Sequence, residues 1–322
     1  MWQTPAQSLF MVKGKKGGDI GKHLHKVLLD WGLDKVMTIT VDNASANDSG
    51  VTYLRRQMNN LKTSIAEGKY IHMRCAAHVL NLVVQDGLKE VDQSIKRVRA
   101  AIRFVRQRMT KFKEIARLEK VDSKAFLNLD CPTRWNSTYE MLQAACAYEK
   151  VFLRYPDEDP YYTIDLLSEI KPGVPGLGVS KEHDWENARK LAEFLGHFAT
   201  ITKPVSTSLS VTAHIYFHEI GEINELVKEW MSSLDFVQQK MGRRMKEKYD
   251  KYWGKWHENV EVQSEKEKEK EKGKGKGKGK EKEKEKENIN LLIFVAVALD
   301  PRYKLAQYTE MAIEEMYGDG VG

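Results

Sequence analysis

The stretch Val36-Met37-Thr38-Ile39-Thr40-Val41-Asp42-Asn43-Ala44-Ser45-Ala46-Asn47 decides the fold. A β-branched run ends on an acid and opens into small polar residues, the pattern of a strand giving way to a turn. A carboxylate in that place can be a Mg²⁺ ligand of a phosphoryl-transfer sheet. It can equally cap the helix that follows, as Asp-Asn pairs do. The residues Asn43 to Asn47 that follow the acid leave both readings open.

Working outward, Leu24, Val27, Leu28 and Trp31 fall on one helical face, and Gly32 is placed to end that helix. Beyond the strand, Val51, Leu54, Met58 and Leu61 predict a second helix starting near Ala46 to Ser49, broken at Gly68. Tyr70-Ile71-His72-Met73-Arg74 reads as another short strand. The order α-β-α-β with short links predicts a right-handed crossover and a parallel strand pair. After Cys75 the strand signal stops. Val91, Ile95, Val98, Ile102, Val105, Met109 and Phe112 alternate spacings of four and three, which predicts one long helix with a single packed seam. Further helices are expected over Arg134–Leu153, Asp184–Thr202, Thr212–Leu234 and Phe236–Trp256, with a Pro/Gly-rich loop across Leu167–Ser180. The fold class is therefore α/β plus all-α.

The net charge of +6 over 322 residues is a weak guide to partners. Half of it sits in Glu265–Glu287, where 11 Lys, 8 Glu and 4 Gly leave +3. Alternation there sets like charges at i+4, and the Gly-Lys repeats remove further helix support, so a solvated, disordered tract is expected. Cys75, Cys131 and Cys146 cannot make a disulfide framework, and reduced thiols inside a cell are expected. The longest apolar run, Leu291 to Leu299, is far shorter than the ~20 residues of a membrane-crossing helix. A soluble protein that does not contact membranes is the expectation.

Local clustering carries the case for nucleic acid. Ser94 to Lys113 holds eight cations and no acid, and Lys96, Arg99, Arg103 and Arg106 share one helical face. An ordinary solvated face mixes signs, and unbalanced charge of this density favours phosphate contact. Arg243, Arg244, Lys246, Lys248 and Lys251 form a weaker segment that Glu247 and Asp250 partly balance. In Thr133-Arg134-Trp135-Asn136-Ser137-Thr138, the arginine at a helix start can clamp a phosphate while the indole stacks on an unpaired base. A buried core tryptophan fits the same residues. Cys75 and His78 make half of a zinc site with no second pair at suitable spacing, so packing at a strand-helix junction is the expected role.

Taken in order, four blocks resemble a plant-type hAT-superfamily transposase of the BED zinc-finger "sleeper" kind. They are the TxDNAxxN block (Thr40, Asp42, Asn43, Ala44, Asn47), Arg74-Cys75-Ala76-Ala77-His78-Val79-Leu80-Asn81-Leu82, Leu129 to Thr138, and Leu299-Asp300-Pro301-Arg302-Tyr303-Lys304. Ile20-Gly21-Lys22, Phe194 to Phe198 and Tyr249-Asp250-Lys251-Tyr252-Trp253 fit the same family. The resemblance implies an RNase-H-like sheet and makes Asp42 the second acid of a DDE triad, hence a Mg²⁺ ligand. It implies that Trp135 approaches the transposon end, and it fits a packing role for Cys75 and His78.

The family's first strand, its final acid, its zinc finger and its dimerisation segment find no match in the sequence. The expectation is a remnant with one acid of three, vestigial at Asp42, needing no cofactor unless Mg²⁺ joins a site completed elsewhere. DNA is the expected partner and the nucleus the implied location. The expected division is a partial RNase-H-like core of two or three strands over 1–90, a helical insertion over 91–264, the charged tract over 265–287 and a C-terminal helical segment over 288–322. Rival readings are an active transposase or nuclease completed by a partner chain, and an interaction scaffold with no role on DNA.

Overall fold

The computed structural model describes residues 17–168, 173–203, 213–254 and 292–302, with 310, 313 and 314 singly. The Lys/Glu tract, Pro172, Tyr303 and Lys304 lie outside the described residues. The chain divides into two compact units: Met1–Leu82 with Pro204–Asn224 and Glu247–Gly322, and Val83–Lys203 with Glu225–Lys246.

In the first unit, α1 (Gly17–Asp30) leads to β1 (Ile39–Val41), then α2 (Ser45–Asn60), then β2 (His72–Arg74). The strands pair in parallel, with Ile39 opposite His72 and Val41 opposite Arg74, as the α-β-α-β order predicts. Gly32 closes α1 at φ +66, where a side chain would be strained. The Leu33 N–H reaches the Leu28 carbonyl at 2.9 Å and the Gly32 N–H the Leu29 carbonyl at 3.0 Å, satisfying the helix's last carbonyls. A Cβ on Gly21 would stand 2.6 Å from the Gly50 carbonyl, so α1 and α2 cross at a distance only small residues allow. Their facing sides bury Val51, Leu54, Met58 and Ile71, with Leu24, Leu28, Val36, Ile39 and Val41 packed around them. Elsewhere in this unit the Trp253 indole N–H donates to the Tyr216 hydroxyl at 2.9 Å, and Phe217 meets Phe294 of α12 (Leu292–Ala298).

The second unit is helical. It includes α4 (Asp92–Arg106), α5 (Met109–Leu118), α6 (Trp135–Cys146), α7 (Glu149–Glu158), α8 (Pro160–Leu167) and α9 (Glu182–Thr202). Helices α3 (Ala76–Leu88), α10 (Ala213–Met231) and α11 (Phe236–Trp253) contribute a part of their length to each unit.

Two expectations need correction. The single helix expected from Val91 to Phe112 is two, α4 and α5, parted at Gln107 and Arg108. Its apolar spacing runs on through the break, so periodicity could not show it. Packing decides: Phe112 meets Tyr148 edge-on at 5.2 Å and Phe152 at 5.4 Å, drawing α5 onto α7, while Met109 is left exposed. The Arg108 guanidinium covers the Phe104 ring at 3.8 Å at the corner. The helix expected over Arg134–Leu153 is likewise two, α6 and α7, separated at Ala147 and Tyr148. Helix α8, for which the sequence reading gave no element, runs up to Leu167, where the expected loop begins; Asp159 accepts from the Tyr161 N–H at 3.0 Å and Pro160 opens the helix.

Candidate nucleic-acid interface

Asp42 stands directly after Val41, at the C-terminal end of the two-stranded sheet. One of its oxygens accepts from the Ala44 N–H at 2.9 Å and the Asn47 amide at 2.6 Å, so the side chain shapes the entry into α2. These bonds are those of the turn-shaping reading. Beside it, Arg74 donates to Asn43 at 2.8 Å and lies 3.5 Å from Asp48. Among the described residues no group of three or more His, Cys, Asp or Glu is arranged to hold a metal ion. One exposed acid whose neighbour is tied to a guanidinium does not make a two-metal cradle, and the residues at this strand end do not by themselves fit the group the family implies.

Cys75 and His78 are both partly buried where β2 passes into α3, and the Cys75 N–H donates to the Val41 carbonyl at 2.8 Å. All three cysteines are unpaired. Burial, then Glu149, pushes the Cys146 thiol up to about 11.

The cationic face of α4 divides into two kinds of residue. Lys96 is exposed and paired with Asp92 one turn earlier. Arg103 and Arg106 are exposed and make no ion pair among the described residues. Arg99 differs. Its guanidinium grips the fully buried Asp130 carboxylate by two bonds, 2.6 Å and 2.7 Å, and the Thr138 hydroxyl adds a third at 2.8 Å. Burial alone would raise the Asp130 carboxyl, but these donors outweigh it and hold the group below the usual carboxylate value. Sequence reasoning assigned Arg99 to phosphate; the structure places it in this internal clamp.

Asp130 opens the turn that carries Arg134. Ser137 ties the next residue, accepting from the Cys131 N–H at 2.9 Å and donating to its carbonyl at 3.0 Å. Arg134 stands at the N-cap of α6, exposed and without an ion pair among the described residues. Trp135 points the other way. It is 7% exposed and meets Phe198 of α9 edge-on at 6.2 Å, so the indole sits in the core and is not offered for stacking on a base. The choice left open by the sequence falls to packing here, because α9 supplies an aromatic partner that no local pattern announces.

A second buried carboxylate went unnoticed in the sequence. Asp184, at the start of α9 and 0% exposed, accepts from Ser94 at 2.8 Å, from Arg97 at 3.0 Å and from the Lys181 N–H at 2.9 Å. Only its place at a helix start hinted at a cap.

Comparison with known proteins bears on the family and the fold. A model described as ZBED1 RNase-like helical domain matches residues 73–171, and one described as hAT-like transposase, RNase-H fold, matches residues 214–262. The chain is 28% identical over 250 residues to a "Putative AC transposase" of Zea mays, covering 76% of this chain and 30% of that protein. It is 30% identical over 232 residues to "Zinc finger BED domain-containing protein RICESLEEPER 3" of Oryza sativa subsp. japonica, covering 70% and 29%. To DAYSLEEPER of Arabidopsis thaliana it is 24% identical over 230 residues, covering 70% and 31%. The matches span less than a third of each of these relatives. The hAT-type resemblance read from the sequence is thereby shown, as is the mostly helical fold with its small parallel sheet.

Proposed function

We propose that this chain, similar over most of its length to hAT-type transposases, contacts DNA through α4 and the Arg134 turn and cleaves no strand by itself. The observation that carries the reading is the pair Arg103 and Arg106, exposed on one side of α4 with no acid against them among the described residues. Cations left unbalanced on a helix favour a polyanion, and their contribution is counterion release rather than base reading. Arg134, exposed and without an ion pair among the described residues, is the further cation of this reading, whereas Lys96 is paired with Asp92. DNA contact of this kind requires no cofactor.

The inactive half of the proposal is supported by the strand end, where Asp42 belongs to no group of three metal-holding side chains among the described residues. Nuclear residence follows from a DNA partner and agrees with the transposase and BED zinc-finger names of the relatives. Among the described residues, no helix is long and apolar enough to cross a membrane.

Binding to duplex and hairpin oligonucleotides across a salt series tests the reading. The logarithm of the affinity is expected to fall linearly with log salt, and Arg103→Ala with Arg106→Ala to flatten the slope by about 1.8, roughly 0.9 for each phosphate contact. A flat salt dependence, or no binding at low salt, would return the chain to the scaffold reading. Mg²⁺-dependent nicking that disappears in Asp42→Asn would overturn the inactive half alone.

A further inference from the structure

We propose that Asp130 is a positioning residue: it fixes the Arg134 turn onto the cationic side of α4, so that helix and turn meet a nucleic-acid backbone as one rigid surface. This inference rests on the DNA-contact reading and deepens it.

The helical period supplies the first step. At about 100° per residue, Arg99 lies within the same ~80° stripe as Lys96, Arg103 and Arg106. Asp130 docks on that stripe through Arg99, so the turn it opens starts from the face that carries the exposed cations. Arg99 gives up its own chance of a phosphate contact in doing so.

The second step is rigidity. The turn is held at three places: Asp130 on Arg99 and Thr138, Cys131 on Ser137, and Trp135 against Phe198. Between these anchors Thr133 and Arg134 stay exposed. An arginine on a free loop loses conformational freedom when it binds, whereas one on a fixed turn has already lost it, so the fixed turn binds tighter for the same contact. Asp130 touches no ligand in this account. It acts through Arg134.

A double-mutant cycle in the full chain tests this, with binding to a hairpin oligonucleotide read at about 0.1 M salt and the salt slope measured for each variant. Arg134→Ala is expected to weaken binding roughly eightfold and to lower the slope by about 0.9, the counterion-release values for one phosphate. Asp130→Asn is expected to weaken binding in the same direction, yet to change nothing further once Arg134 is alanine. Should Asp130→Asn fail to fold, Thr138→Ala takes its place; it removes one of the three bonds to the carboxylate and leaves every charge intact.

Losses that multiply in the double variant, or a folded Asp130→Asn with unchanged affinity, overturn the positioning role while leaving DNA contact standing. So does an Arg134→Ala variant with undiminished affinity when the Arg103 and Arg106 replacements still weaken binding. Absence of any salt-dependent binding by the unaltered chain sinks the DNA reading itself.

Discussion

Asp184→Ala is expected to destabilise the second unit by about 3–5 kcal/mol, the cost of leaving buried partners without their charge. The carboxylate is fully buried and serves three donors at once, Ser94, Arg97 and the Lys181 N–H. Removing it takes an acceptor from a hydroxyl, a guanidinium and a helix N-terminus together. Against a domain stability of about 5–15 kcal/mol the loss is a large fraction, and chemical denaturation of the variant beside the unaltered chain would measure it. A near-neutral result would mean that water reaches the site.

The same carboxylate makes a statement about pH. Burial on its own would raise the Asp184 carboxyl, but the Lys181 N–H, Ser94 and Arg97 together hold it below its ordinary value, as Arg99 and Thr138 do for Asp130. A carboxyl whose folded value lies below the unfolded one stabilises the fold above the unfolded value, about 3.9, and loses that contribution as pH falls through the folded value. Stability of this unit is therefore expected to hold from neutral pH down to about 4 and to drop below it. Asp184→Ala should flatten part of that acid limb, which an unfolding series between pH 7 and pH 2 would read.

Trp135→Ala is the second large effect, expected to cost about 3–5 kcal/mol through the cavity left against Phe198, while Trp135→Phe should cost far less. A stacking role for the indole predicts the opposite pattern: unchanged melting in the alanine variant, with affinity for unpaired DNA reduced by about 1–3 kcal/mol. Thermal melts and single-strand binding on the same three proteins separate the two.

What the sequence could tell depended on the range of the interaction. The parallel pair β1–β2 was legible because strand, helix and strand follow one another within about 40 residues and each carries its own period. Gly32 was legible as a helix end for the same reason. Arg99 and Asp130 stand 31 residues apart and Arg97 and Asp184 stand 87 apart, and nothing local marks either partner. Unmatched cations on a helix therefore read alike in sequence, whether an acid from elsewhere in the fold meets them or not. Arg103 and Arg106 kept their expected exposure; Arg99 did not.

Arg97 and Arg99 sit about 200° apart around α4, so their two carboxylates grip it from nearly opposite sides. A cylinder pinned at one azimuth can still roll; pinned at two, it cannot. The rotational phase of α4 is thus locked from inside the bundle, and with it the direction in which Arg103 and Arg106 face the solvent.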